Sequence, residues 1–149
     1  NVSGTLWYAL HVVLQEHYEA VGKLADRVAE RLLTVGASAD GRATTILQTS
    51  AIPEMPGGFQ DNAQVIVWWV NAYKLVGDSA RQAIRDMEEP DPTTSNLLLE
   101  VDDMIGKFQC QVRAFVQATP TDPNLGRDLN NGQPVDLPSQ TPAGQPPAR

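Results

Sequence analysis

A single cysteine, Cys110, among 149 residues excludes an internal disulfide framework. No apolar run approaches the length needed to span a bilayer. Bases are few: 11 Lys and Arg stand against 18 Asp and Glu, giving a formal net charge of −7. That balance argues against a surface built mainly to grip phosphate backbones and suits one that attracts cations. The sequence opens Asn1-Val2-Ser3-Gly4, with no methionine and no charged-then-apolar segment, so it reads as a mature or truncated chain in which any upstream targeting information is not visible. Strand-like alternation and solenoid repeats are also lacking. What remains is room for one domain of ordinary apolar content.

Three long helices are legible. The first is expected over residues 6–35, where Leu10, Val13, Leu14, Val21, Leu24, Val28 and Leu32 follow three-and-four spacing. Gly36 is placed to end it. A long connection follows, with Gly36, Gly41, Pro53, Pro56, Gly57 and Gly58, and a short helix is expected inside it at 42–48. The second long helix should start near Asp61, a good N-cap, and bury Ile66, Val70, Tyr73, Gly77, Ala80, Ile84 and Met87. Asp91-Pro92 announces the third, with Leu97, Val101, Ile105, Phe108, Val112 and Phe115 as its stripe. After about Gln117 the chain turns to Pro, Gly, Asn, Gln and Thr. The expected division is therefore a helical domain over 1–117 and an extended or disordered tail over 118–149. Three helices with a long crossover between the first two imply an all-α, incomplete four-helix bundle whose missing helix would precede Asn1.

The first helix carries four possible metal ligands: His11, Gln15, Asp26 and Glu30. At 100° per residue they fall within roughly a 100° sector. His11 and Asp26 are nevertheless separated by about 22 Å along the axis, so one chain cannot bring both to one ion. A second copy can. The pairs His11 with Glu30 and Gln15 with Asp26 share one midpoint, between Ala20 and Val21. A twofold axis there would set Asp26 and Glu30 of one chain against Gln15 and His11 of the other. Carboxylate and imidazole with open positions suit ferrous iron better than a closed zinc site. The other reading of the same residues is solvated charge on a long helix, with Asp26 simply neighbouring Arg27.

The stretch Asn1-Val2-Ser3-Gly4, then Leu10-His11, then Ala25-Asp26-Arg27-Val28-Ala29-Glu30-Arg31 resembles the Dps family of bacterial mini-ferritins. The family pattern is a His-Trp-Asn-x-x-Gly entry, a Leu-His step and an Asp-x-x-Ala-Glu-Arg block. The likeness continues through Gly41 to Pro56 and reaches Lys107-Phe108. It implies a ferritin-like four-helix bundle with a short extra helix in the crossover, and a hollow homo-oligomer of twelve subunits. Iron sites on the dimer twofold would oxidise Fe(II), preferably with hydrogen peroxide, and the ferric product would be stored as mineral. His11, Asp26 and Glu30 take ligand and catalytic roles by this resemblance, and His-Trp is expected just before Asn1. Gln15 stands where the family usually has aspartate, so a weak second iron position is expected there. Cys110 stands at the family's late tryptophan, so one radical-quenching aromatic that the resemblance implies is absent; Trp7, Trp68, Trp69 and Tyr8 are possible substitutes, although large aromatics in a bundle are more often core or interface.

The resemblance further implies acidic pores near the start of the last helix. There Asn96 occupies a usual aspartate position, while Glu100 and Asp103 continue the face as alternative metal contacts; a solvated face is the other reading. His17 points away from the ligands, and Cys110 is expected as a buried packing residue. Many family members coat DNA through lysine-rich tails. Here the tail counts only Arg127 and Arg149 as bases against Asp122, Asp128 and Asp136, so the visible sequence lends DNA binding no support unless a basic arm lies upstream. The alternative to the iron reading is a DNA-binding or structural assembly with weak or absent ferroxidase activity, for which Gln15 is the hint. A cytoplasmic location is implied by the family, with an exported or envelope variant as the alternative.

Overall fold

The structure, a computed structural model, describes residues 1–116. The expected tail over 118–149 lies outside the described residues. The elements in chain order are β1 (Val2–Ser3), α1 (Trp7–Thr34), α2 (Ala43–Thr49), β2 (Gln60–Asp61), α3 (Asn62–Met87) and α4 (Pro92–Ala114).

The helix ends follow local chemistry. Gly36 takes φ +87°, its N–H donates to the Leu33 carbonyl, and the Ala37 N–H donates to that of Leu32. This is the paired closure that a left-handed residue after a helix permits. The Asp61 carboxylate accepts from the Ala63 N–H at 2.8 Å and opens α3. Asp91 caps α4 by accepting from the Thr94 N–H at 3.1 Å, with Pro92 at the first helical position.

Side-chain pairs set the helix directions. Ser95 Oγ donates to the Ile84 carbonyl and Gln109 Nε2 to that of Val70, so α3 and α4 run antiparallel across a short turn. His17 meets Gln111 and Arg27 meets Glu100, so α1 is also antiparallel to α4. The Leu6 N–H donates to Asn62 Oδ1, and His17 meets Tyr73; α1 and α3 are therefore parallel, as a long crossover requires. The core between them is Leu10, Ile66, Val70, Tyr73, Ile105, Phe108, Val112 and Val116. Each such aliphatic or aromatic side chain contributes about 1.5–3 kcal/mol when fully buried.

The structure corrects three expectations. A strand does exist: Val2 pairs with Gln60 and Ser3 with Asp61 in a parallel two-residue ladder. It is too short to leave an alternating pattern. It heads the parallel helices α1 and α3 and holds their starts together. Second, the apolar stripe of α1 is not buried along its length. Leu10, His17 and Leu24 are, whereas Val21, Val28 and Leu32 remain exposed, because α1 meets its neighbours along a narrow seam of seven-residue spacing. Third, Cys110 is exposed, since it projects from the side of α4 opposite the buried Phe108 and Val112.

Candidate metal centre

The ligand face of α1 lies opposite its buried seam. His11, Gln15, Asp26 and Glu30 are all exposed there, on the side of the helix away from Leu10, His17 and Leu24. Exposed apolar side chains share the face: Tyr8 at 64%, Tyr18 at 77% and Leu33 at 61%. Tyr8 and Leu33 have the same midpoint in sequence as His11 and Glu30. Among the described residues of one chain, no three histidine, cysteine or acidic side chains gather around one point.

The bases beside the carboxylates are committed elsewhere. Arg27 forks onto both oxygens of Glu100, at 2.6 and 3.0 Å. Arg31 reaches both oxygens of Asp91, at 2.7 and 2.8 Å, and donates to the Thr94 hydroxyl. Asp26 and Glu30 make no ion pair among the described residues. Two uncompensated carboxylates about one helical turn apart therefore face outward, with His11 about four to five turns nearer the N-terminus on the same side. Such a half-set of oxygen and nitrogen donors can hold a divalent cation once other donors complete it. Gln15 is otherwise engaged, its Nε2 donating to Glu19 Oε1 at 2.8 Å.

The acidic face of α4 is less free than its sequence suggests. The hydrogen bonds from Arg27 hold the Glu100 carboxyl below its ordinary pKa and bind both of its oxygens. Asp102 accepts from Arg81 at 2.6 Å. Asn96 and Asp103 are exposed.

His17, expected only to point away from the ligands, is a buried polar member of the α1 seam. It is 2% exposed, with Nδ1 2.8 Å from the Tyr73 hydroxyl and Nε2 3.0 Å from Gln111 Oε1, and it stacks on Phe108. Burial lowers its pKa, the Gln111 hydrogen bond opposing; burial also raises that of Tyr73. The available signal was its position, seven residues from both Leu10 and Leu24.

Comparison with known proteins places this geometry in company. A ferritin-like domain model matches residues 1–120. The chain is 60% identical over 137 residues to "DNA protection during starvation protein 2" of Deinococcus radiodurans, a match covering 92% of the chain and 57% of that protein. The chain thus spans little more than half the length of that relative. A crystal structure of a Dps protein from Deinococcus radiodurans superposes with a TM-score of 0.84 at 60% identity, over 90% of this chain and 81% of that one. The Mycobacterium smegmatis Dps structure gives 0.75 at 26% identity, over 79% and 72%.

Proposed function

The chain belongs to the Dps family of ferritin-like proteins, and from that premise we propose that it is a subunit of a homo-oligomeric cage that oxidises ferrous iron and stores the ferric product. The observation that carries the reading is the pair of uncompensated carboxylates, Asp26 and Glu30, on an outward α1 face that also carries His11 and exposed apolar groups. An antiparallel second copy, related by an axis between Ala20 and Val21, would lay Tyr8 against Leu33 and His11 against Glu30. The apolar groups would leave water while the donors close around the metal.

Iron is the substrate of this reaction. Asp26 and Glu30 supply negative charge and oxygen donors from one subunit, and His11 of the next supplies an imidazole. Carboxylates favour the ferric over the ferrous state because they neutralise the higher charge better. Two ferrous ions give one electron each to hydrogen peroxide, which takes up two protons and leaves as two waters. Iron and peroxide, the reagents of hydroxyl-radical formation, are consumed together. That outcome agrees with the protective role in the name of the Deinococcus radiodurans relative.

Twelve copies are the cage size this reading adopts, and a cytoplasmic location goes with it. No described helix is long and apolar enough to cross a membrane. The decisive experiment measures anaerobic ferrous binding and peroxide-driven oxidation by the assembled protein, with and without Asp26→Ala and Glu30→Ala. Equal rates in both would end the assignment. DNA coating is the second reading, favoured by the relative's name and opposed by the net charge of −7. Salt-dependent retardation of DNA tests it.

A further inference from the structure

The buried residues of α1 are Leu10, His17 and Leu24, and the polar one stands in the middle. Iron binding does not use it. Its two ring nitrogens reach two different helices. Gln111 Oε1 on α4 is a carbonyl acceptor 3.0 Å from Nε2, so Nε2 carries the hydrogen and donates. Nδ1 then holds the lone pair and accepts from the Tyr73 hydroxyl of α3 at 2.8 Å. The ring also stacks on Phe108, with centroids 3.9 Å apart.

Apolar packing alone sets the height of α1 weakly. Leu10 and Leu24 are the same residue, one heptad to either side of His17, so a slip of seven residues, about 10 Å along the axis, puts a leucine where the imidazole was. Area burial and dispersion scarcely separate the two arrangements, since neither is directional. Hydrogen bonds separate them sharply. In a displaced register the imidazole, the phenol and the amide would be buried apart from one another, each without its partner. The other links from α1 restrain its height less. The Leu6 N–H and the short ladder hold only its start, and the long side chains of Arg27 and Arg31 can follow a displaced helix by changing rotamer.

We propose that His17 is a register pin: its paired hydrogen bonds to Tyr73 and Gln111 fix the height and rotation of α1 on α3 and α4. A single buried polar group at a heptad position acts this way in coiled coils, where it selects one register while an all-apolar seam would be at least as stable. The pin is also a positioning residue for the face opposite it. His11, Asp26 and Glu30 lie on the far side of α1 from His17, so the rotation it fixes is the one that turns them outward. This second role rests on the iron reading; the first rests on the hydrogen bonds alone.

The test uses the whole chain with spin labels on the native Cys110 of α4 and on Thr34→Cys at the far end of α1, both exposed. Labelled chains are diluted with unlabelled ones, so that electron–electron double resonance reads the distance within one subunit. The native seam should give one narrow distance. A variant carrying His17→Leu, Tyr73→Phe and Gln111→Leu removes the three polar groups together, so none is left buried without a partner. Its thermal midpoint should equal or exceed that of the native seam. Its distance distribution should broaden or split, by up to about 10 Å for a one-heptad slip. Ferrous oxidation should fall about 10- to 100-fold, as misplacement of reacting groups brings. His17→Gln alone, whose amide offers both a donor and an acceptor, should keep the narrow distance and most of the rate. A single narrow distance in the all-apolar variant overturns the pin. So does a midpoint that falls along with the broadening, which would make the three groups plain stabilisers. Should misfit of the new side chains keep that variant from folding by circular dichroism, Tyr73→Phe decides, because it removes one of the two bonds and no carbon. A broadened distance then supports the pin, and an unchanged one overturns it. A native protein that does not oxidise iron ends the iron reading, while the distances still decide the pin.

Discussion

Arg27 and Glu100 join α1 to α4 through a two-pronged ion pair of 2.6 and 3.0 Å. The pair is exposed, so water screens it and it contributes little to stability. Its larger effect is on the neighbouring residue. By turning Arg27 toward α4, it leaves Asp26 without an ion-pair partner among the described residues, as the proposed ligand role requires.

The first prediction follows from that role. Asp26→Ala and Glu30→Ala should each slow ferrous oxidation by at least about 10- to 100-fold, the loss that removing even an outer-sphere partner of a metal ligand brings. Helix content and assembly should persist, because both residues are exposed and alanine favours helix. Stopped-flow oxidation kinetics and light scattering on the same samples make the comparison. A rate loss that merely tracks dissociation of the assembly would count against a ligand role.

Gln15→Asp should strengthen the binding of a second ferrous ion, since an anionic donor replaces an amide. The substitution also exchanges the Gln15–Glu19 hydrogen bond of 2.8 Å for a like-charge pair one turn apart. The metal-free protein should therefore lose about 0.2–0.5 kcal/mol. Anaerobic titration calorimetry and thermal melts read the two effects separately. An unchanged iron isotherm would remove position 15 from the site.

Asp91 should impose a specific acid limb on stability. The Arg31 guanidinium, followed by the Thr94 hydroxyl and N–H, holds its carboxyl at about 2 against an ordinary 3.8. A depressed carboxyl stabilises the fold above its unfolded pKa and loses that contribution as pH falls through its folded one. Asp91→Asn keeps a competent cap but not the ion pair. The gap in thermal midpoint between the native protein and this variant should stay constant above pH 3.8, narrow toward pH 2, and close below it. A gap that does not change with pH would show that the pair contributes nothing.

Gly4→Ala should destabilise the N-terminal junction by about 1–3 kcal/mol. Gly4 has φ +105°, and an added Cβ would sit 2.3 Å from Asn62 Oδ1, the atom that accepts the Leu6 N–H. Both the backbone conformation and the contact oppose any side chain there. A chemical denaturation midpoint equal to that of the unaltered protein would contradict this.

What could be read before folding was local. Gly36, Asp61 and Asp91-Pro92 mark helix ends because capping acts within a turn, and all three act as expected. The exposed ligand row of α1 follows from helical period alone. Burial of Val21, Val28 and Leu32 could not be read the same way, since it depends on how wide a seam the neighbouring helices cover. The pairing of Arg27 with Glu100 joins residues far apart in sequence, and nothing near either residue announces the other. Cys110 illustrates the same limit: its type favours burial, but its angle from Phe108 and Val112 on α4 turns it outward.

The small parallel ladder has a kinetic consequence. Ser3 and Gln60, which it brings together, are 57 residues apart, so its formation closes a large loop and must wait on that entropy. Nothing comparable delays α3 and α4, which fold back on each other across four residues and can find their register quickly. The order this implies is a helical hairpin first and α1 docking onto it afterwards, with the ladder as the clasp that ends the search. Opening in the reverse order would release the N-terminal segment and the crossover as one cooperative unit while the hairpin keeps its amide protons protected.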